Sequence, residues 1–196
     1  MLDHLFLRFI NSLKHSLNTS MLERAGLEEQ LHHDLILGDI SFETSFSLPG
    51  EANPPHIRAD ISLEWSAWSQ GSYRSWSLGE GIEEPIEMVL EVALRFASLS
   101  ALPSSIDELR SSLPHSSPIF LNGPLEIQRV TFENSRDIAT DEVELSAEVV
   151  YEATVSLDEP VLEDPSILDG PTSELTGWIA SILVKASDLP LNYLQL

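Results

Sequence analysis

The residues in this chain that could do chemistry are histidines, carboxylates and serines, and their spacing selects no reaction. His32, His33 and Asp34 resemble metal ligands, but adjacent side chains point in different directions on a helix and to opposite faces of a strand. Serines are abundant, yet no G-x-S-x-G sequence marks a nucleophile. The chain has no cysteine, which excludes thiolate nucleophiles and thiolate metal ligands. We therefore predict no catalytic, cofactor-binding or metal-binding residue and favour a protein that is not an enzyme.

Two segments have the length of a ligand-binding loop but lack the chemistry. Residues 79–81 read Gly-Glu-Gly without a third glycine, and their glutamate would repel a phosphate. Residues 158–169 have the length of an EF-hand loop, but they lack the central glycine. Pro160 and Pro165 also oppose the turn that calcium ligation requires. Both segments are interpreted as connections between structural elements.

An aromatic cluster is the first feature that indicates a contact surface. Trp65, Trp68, Tyr73 and Trp76 lie close together in the sequence. If residues 57–67 form a strand, Trp65 faces its apolar side and Trp68 its polar, solvated side. A large aromatic side chain on a polar face is typical of a protein–protein contact. We predict Trp68, Trp76 and Tyr73 as partner-binding residues.

A stripe of glutamates is the second such feature. Residues 143–157 alternate as a strand does, and one face carries acids at every second or fourth position. These predicted partner-binding acids are Glu142, Glu144, Glu148 and Glu152. A solvated face that prevents edge-to-edge pairing would show the same pattern. The other interpretation is an electrostatic surface for a basic partner.

The overall charge limits the classes of partner. Lys and Arg number 10 against 32 Asp and Glu, for a net charge of −22, and residues 137–184 contain no Lys or Arg at all. Direct nucleic-acid binding is therefore not expected, because phosphates need cationic side chains. Anionic membranes are disfavoured for the same reason. Adaptation to high salt would explain the charge without any partner.

Hydrophobic periodicity predicts the elements of the first half. Residues 1–33 read as a helical segment, either one kinked helix or two helices with Ser20-x-x-Glu23 as a capping box. Alternating residues then predict strands. The predicted strands of this half are 40–48, 57–67 and a shorter one at 72–78.

The second half is predicted to repeat the order strand, strand, helix after an intervening helix. The predicted elements are an apolar helix from Pro85 to Leu99, a short helix 106–113 capped by Ser105, a Ser/Pro connector 114–118, a strand 125–132 with a bulge at 128–129, a strand 143–157, an acidic Pro-rich loop 158–171 and a final helix from Thr172 to before Pro190.

These elements predict an α+β fold in which a mostly antiparallel sheet of about five strands has helices packed on one face. The predicted order is α-β-β-β-α-β-β-α, within a single domain over residues 1–196. This order, together with the acidity, is similar to that of the small acidic dimeric chaperones of bacterial type III secretion systems. The resemblance implies client binding and a homo-oligomer. No membrane span is predicted, because no sufficiently long apolar run occurs, and the absence of cysteine is compatible with a cytoplasmic protein.

Three hypotheses follow from the sequence. The first is a non-enzymatic protein-binding or assembly factor, chaperone-like in its use of an apolar and aromatic surface. The second is an acidic electrostatic inhibitor or decoy of a basic, nucleic-acid-binding protein. The third is an enzyme of unknown reaction.

Overall fold

The computed structural model describes residues 4–20, 22–25, 29–51, 54–81, 84–136 and 143–194. The helices in these ranges are α1 His4–Thr19, α2 Ala67–Ser77, α3 Ile106–Ser112, α4 Glu159–Glu163 and α5 Asp169–Ser187, with a 3-10 helix at Pro165–Leu168. The strands are β1 Glu23–Arg24, β2 Gln30–His33, β3 Ile40–Ser47, β4 Ile57–Trp65, β5 Glu87–Leu99, β6 Ser116–Phe120, β7 Gly123–Arg136 and β8 Val143–Ser156.

The strands form one antiparallel sheet, which confirms the predicted α+β class. Its spatial order is β1-β3-β4-β5-β8-β7-β6, and β2 pairs with the same strand β3 as β1 does. The described strands number eight where about five were predicted, because β1, β2 and β6 are short edge strands whose few residues show no period. The observed element order also differs from the predicted one. Of the two features behind the similarity to secretion chaperones, only the acidity therefore remains.

The core lies between one face of the sheet and the helices α1 and α5. Along β4 every second residue is buried, from Ile57 to Trp65, and these residues meet the apolar side of α1, where Phe6 lies 5.7 Å from Trp65 between ring centroids. Helix α5 packs against α1, β4 and β6. Each fully buried Leu, Ile or Phe contributes about 1.5–3 kcal/mol to stability. This layer therefore holds the sheet in place. The strand residues that alternate with the buried ones point away from α1 and α5, and we call the surface that they form the outer face.

The predicted helical segment over residues 1–33 is wrong beyond Thr19. The amide of Ser20 still donates to Ser16 O, and its hydroxyl donates to Leu17 O, so Ser20 closes α1 and does not start a second helix. Glu23, the expected capping partner, lies in β1. All four residues of β2 are exposed. Such a segment has no apolar stripe to hold a helix on the core, and its backbone pairs with β3 instead.

The apolar helix predicted from Pro85 to Leu99 is a strand, β5. Its buried residues Met88, Leu90, Val92, Leu94 and Phe96 alternate as on one face of a strand. Met88, Val92 and Phe96 are also four apart, however, and that spacing fits one face of a helix as well. The segment is a strand because its backbone pairs with β4 on one side and with β8 on the other. A central strand with both edges paired satisfies its whole backbone, so tertiary context prevails over periodicity.

The strand predicted at 72–78 is the second half of helix α2. Ser66 caps this helix by accepting a hydrogen bond from Ser69 N, a role for which serine is well suited. Gln70 and Gly71, a pair that would suit a turn between two strands, are both helical. Trp65 therefore ends β4, whereas Trp68, Tyr73 and Trp76 lie on α2.

The predicted loop 158–171 is also largely helical. It contains α4, the 3-10 helix and the start of α5, which begins at Asp169 and not at Thr172. Pro160 and Pro165 occupy first-turn positions, where a missing amide proton costs nothing. Both prolines, which were predicted to lie in a loop, start short helices.

Several local predictions are confirmed. Strands β3, β4 and β8 lie where alternation predicted them, and β7 shows its register shift between Ile127 and Arg129. Helix α3 is capped by Ser105, whose hydroxyl oxygen accepts from Glu108 N at 3.1 Å. The predicted connector 114–118 is correct only in its first two residues, because β6 begins at Ser116.

Candidate functional site

The connection from β2 to β3 is a tight turn held by its own polar groups. The carboxylate of Asp34 accepts hydrogen bonds from Ile36 N at 2.7 Å and from Leu37 N at 2.8 Å. Gly38 N donates to Asp34 O, and Asp34 N donates to Asp39 O, each at 2.8 Å. Gly38 has a φ of +84°, which a glycine adopts without strain. The hydrogen bonds from the backbone amides of Leu37 and Ile36 hold the pKa of Asp34 below its usual value, so this carboxylate stays charged.

Helix α2 fixes this turn to the body of the protein. Ala67 N donates to the Asp39 carboxylate at 2.7 Å. The side-chain amide of Gln70 donates to Gly38 O and to Trp65 O, each at 3.0 Å. A side chain at Gly38 would crowd Ala67, with 3.2 Å between the Cβ atoms. The turn and the start of α2 therefore form one rigid unit.

This unit displays four large apolar side chains to solvent, and we call them the apolar tip. The exposed fractions are 91% for Leu35, 92% for Ile36, 66% for Leu37 and 74% for Trp68. Trp68 follows Ala67, the residue that bonds to the turn. Exposed apolar residues scattered singly are ordinary in proteins, but these are three in succession, on a turn bonded to the start of the helix that carries the exposed tryptophan, and they form a candidate contact surface.

The structure divides the predicted aromatic cluster. Trp65 is fully buried, and its indole nitrogen donates to Ser69 Oγ at 3.1 Å. Tyr73 lies 5.5 Å from Trp65 and 5.8 Å from Trp76 between ring centroids, and both Tyr73 and Trp76 pack against the core. Trp68 alone of the predicted aromatic contact residues is exposed on α2. It lies on a helix and not on the strand face where it was expected.

The predicted glutamate stripe lies on the outer face. Glu142 lies outside the described residues, and Glu144, Glu148 and Glu152 share one side of β8. Glu148 forms ion pairs with Arg95 at 3.0 Å and Arg129 at 3.1 Å. The stripe is therefore partly neutralised by arginines of the neighbouring strands.

The ion pairs continue across β5 and β4. Arg95 also pairs with Asp60 at 2.7 Å, and Arg58 pairs with Asp60 at 3.0 Å. Ser45 Oγ donates to the same carboxylate of Asp60. A groove of about 270 Å³ lies beside these side chains. Because its arginines are already engaged by carboxylates, a ligand would have to replace existing ion pairs to bind there.

Next to this network, three glutamates lie in one row across the sheet. Glu152 is directly opposite Glu91 on β5 and Glu126 on β7. Burial raises the pKa of Glu91. Arg129 partly offsets this, and the neighbouring Glu148 and Glu152 add to it. In this row like charges lie directly opposite one another on neighbouring strands, which is destabilising.

Leu35, Ile36 and Leu37 escaped sequence reasoning, which ended the helical segment at residue 33 and assigned these three residues to no element. A signal for them was present, because three consecutive apolar residues stand between Asp34 and Gly38-Asp39. Aspartate and glycine are turn formers that stabilise the backbone locally. An apolar run bracketed in this way predicts an exposed turn and not a buried element.

The other sequence candidates do not form a site in the described ranges. His32 and His33 are exposed on β2, and no group of three histidines and carboxylates among the described residues is arranged to hold a metal ion. Every helix in the described part of the chain is too short or too polar to cross a bilayer. No protein-family model, curated protein or solved structure matches this chain. The apolar tip is accordingly the candidate site on physical grounds alone.

Proposed function

We propose that this chain is a non-enzymatic protein-binding or assembly factor that contacts its partner through the apolar tip. The observation that carries the proposal is the exposure of Leu35, Ile36 and Leu37 on a turn whose backbone is fixed by hydrogen bonds, and of Trp68 on the helix bonded to that turn. A fixed turn has little conformational entropy to lose when a partner binds. Exposure of this kind is built into the fold.

The size of the apolar tip suits a specific but moderate affinity. Burying one large apolar side chain contributes about 1.5–3 kcal/mol, so four give roughly 6–12 kcal/mol before the costs of association are subtracted. A micromolar dissociation constant corresponds to about 8 kcal/mol. Tryptophan is also enriched among the residues that dominate measured interfaces.

The test is capture of partners from an extract of the native host by wild type and by a Leu35→Ser/Ile36→Ser variant. We expect the variant to lose at least one partner that wild type retains reproducibly. Ile119→Ser is the matched control, because Ile119 is 69% exposed on β6 at the other edge of the sheet. If both variants capture the same set as wild type, the apolar tip is not the binding site.

A second candidate function is an electrostatic inhibitor of a basic protein, and the row of Glu126, Glu152 and Glu91 favours it. Adjacent carboxylates would gain from a cationic partner that relieves their repulsion. Such binding would weaken steeply between about 0.05 and 0.5 M salt. A Glu126→Gln/Glu152→Gln variant should lose this salt-sensitive binding, whereas Leu35→Ser/Ile36→Ser should keep it.

A further inference from the structure

The base of the apolar tip is acidic. A shallow groove of about 430 Å³ beside it is lined by three carboxylates, from Asp34, Asp39 and Glu64, and by the imidazoles of His32 and His33. The pKa of Asp34 is held down by the amides of Leu37 and Ile36. Its negative charge therefore persists well into the acidic range. We call these three carboxylates the acidic rim.

The acidic rim discriminates between occupants of the apolar tip. A second copy of this chain would bring another acidic rim and another net charge of −22 to the contact, and like charges facing each other across an interface oppose association. An anionic membrane is repelled in the same way. A partner with lysine or arginine around an apolar pocket gains from both parts of the surface.

We propose that the partner of the apolar tip is a protein with an apolar pocket bordered by cationic side chains. This inference rests on the proposed function and adds the chemistry of the partner. The apolar residues supply the buried contact, and the acidic rim accelerates encounter and fixes orientation. The rim carboxylates of Asp34 and Asp39 also hold the turn, so Glu64 is the rim residue best suited to substitution.

The probe is a short amphipathic helical peptide of leucine and lysine, compared with versions carrying glutamine or glutamate in place of lysine. Binding is measured by fluorescence anisotropy of the labelled peptide. We expect the lysine peptide to bind at least about tenfold more tightly than the glutamine peptide, a difference of about 1.4 kcal/mol in binding free energy.

Ile36→Ser and Trp68→Ala should each weaken binding of the lysine peptide about tenfold at unchanged net charge, and Ile119→Ser should not. Equal binding by the tip variants and wild type would mean diffuse attraction to an acidic protein and would overturn the inference.

The acidic rim is tested by a matched pair of charge reversals. Glu64→Lys and Glu174→Lys change the net charge equally, and Glu174 is exposed on α5, on the other side of the sheet. We expect Glu64→Lys to weaken binding of the lysine peptide about tenfold and Glu174→Lys to weaken it less than about twofold. Equal effects would show that only total charge matters, which would also overturn the inference.

Failure of the inference can be told apart from failure of the proposed function. If the glutamine peptide binds as tightly as the lysine peptide, the cationic partner is refuted, while loss of a native partner by Leu35→Ser/Ile36→Ser still supports the proposed function. A dimer in sedimentation that Ile36→Ser disperses would identify a second copy as the occupant. Binding to neutral phosphatidylcholine vesicles that Ile36→Ser abolishes would identify a membrane. Either result overturns the inference.

Discussion

The apolar tip and the outer face of the sheet differ in which of their groups are bonded. At the tip the backbone is hydrogen-bonded and the side chains are exposed, whereas on the outer face the side chains bond to one another. At the tip, the backbone groups are bonded to Asp34 and to α2, while the side chains at residues 35–37 and Trp68 contact water. On the outer face, charged side chains such as Arg95 and Glu148 bond to one another across neighbouring strands. The comparison teaches that a large net charge does not by itself mark a binding site, because many of the charges near the middle of the sheet already have partners.

The largest expected effect separates two tryptophans three residues apart. Trp65→Ala should lower the free energy of unfolding by about 3–5 kcal/mol, because it removes a fully buried aromatic ring. Trp68→Ala should change it by less than about 0.5 kcal/mol, because this ring is largely exposed. Urea unfolding measures both. A large loss of stability in Trp68→Ala would mean that this side chain supports the fold, and the apolar tip would lose its tryptophan.

On the outer face, Glu148→Ala should cost about 1–2 kcal/mol, because Arg95 and Arg129 lose a common acceptor. The effect is moderate because both arginines are about half exposed and regain water. Glu144→Ala, on the same side of β8 but exposed, should stay within about 0.5 kcal/mol. Denaturant titrations of the two variants make the comparison. Equal effects would contradict the view that the stripe is divided into paired and solvated parts.

At the apolar tip, Asp34→Ala should loosen the turn with little effect on the rest of the fold. The amides of Ile36 and Leu37 lose their acceptor, so their hydrogen exchange should become faster while amides of β4 and β5 are unchanged. Asp34→Asn keeps an acceptor oxygen and should preserve much of the protection. Unchanged exchange in the alanine variant would show that the turn does not depend on this carboxylate.

The smallest expected effect is a pH dependence on the outer face. Burial raises the pKa of Glu91 above its ordinary value near 4.5, so in the pH range just above 4.5 the folded chain keeps a proton that the unfolded chain has lost. Stability from this group is complete below that range and falls as the pH rises through the folded pKa. Glu91→Gln should therefore raise the urea midpoint at pH 7, and its advantage should vanish at about pH 4 and below. A constant difference between variant and wild type across this range would refute the raised pKa.

The sequence predicted those elements whose pattern has one interpretation. The alternation in β3, β4 and β8 has a period of two over many residues, and the stripe on α1 from Leu5 to Leu17 has a helical period. It failed at β5, where residues four apart serve both periods. It also failed at β1 and β2, which exist because β3 offers them backbone partners.

The residues of the candidate site were likewise only partly predictable from the sequence. Trp68 was predicted to be exposed on the polar face of a strand, and it is exposed, but on helix α2. The glutamates at 144, 148 and 152 were correctly placed on one face of a strand, but the sequence could not show that Arg95 and Arg129 approach one of them. Those arginines are 53 and 19 residues away in sequence from Glu148, and only the strand register places them beside it.

By itself, then, the amino-acid sequence determined the fold class, the strong acidity and the clearest strands and helices, because these depend on composition and on local periodicity. The tertiary structure alone decided that residues 87–99 form a central strand, that Glu148 is paired, and that the turn at residues 34–39 is bonded to the start of α2. The physical reason is that each of these depends on a hydrogen bond or ion pair between distant segments. The bond from Gln70 to Gly38 O, which joins α2 to the turn and so completes the apolar tip, is one that no local pattern encodes.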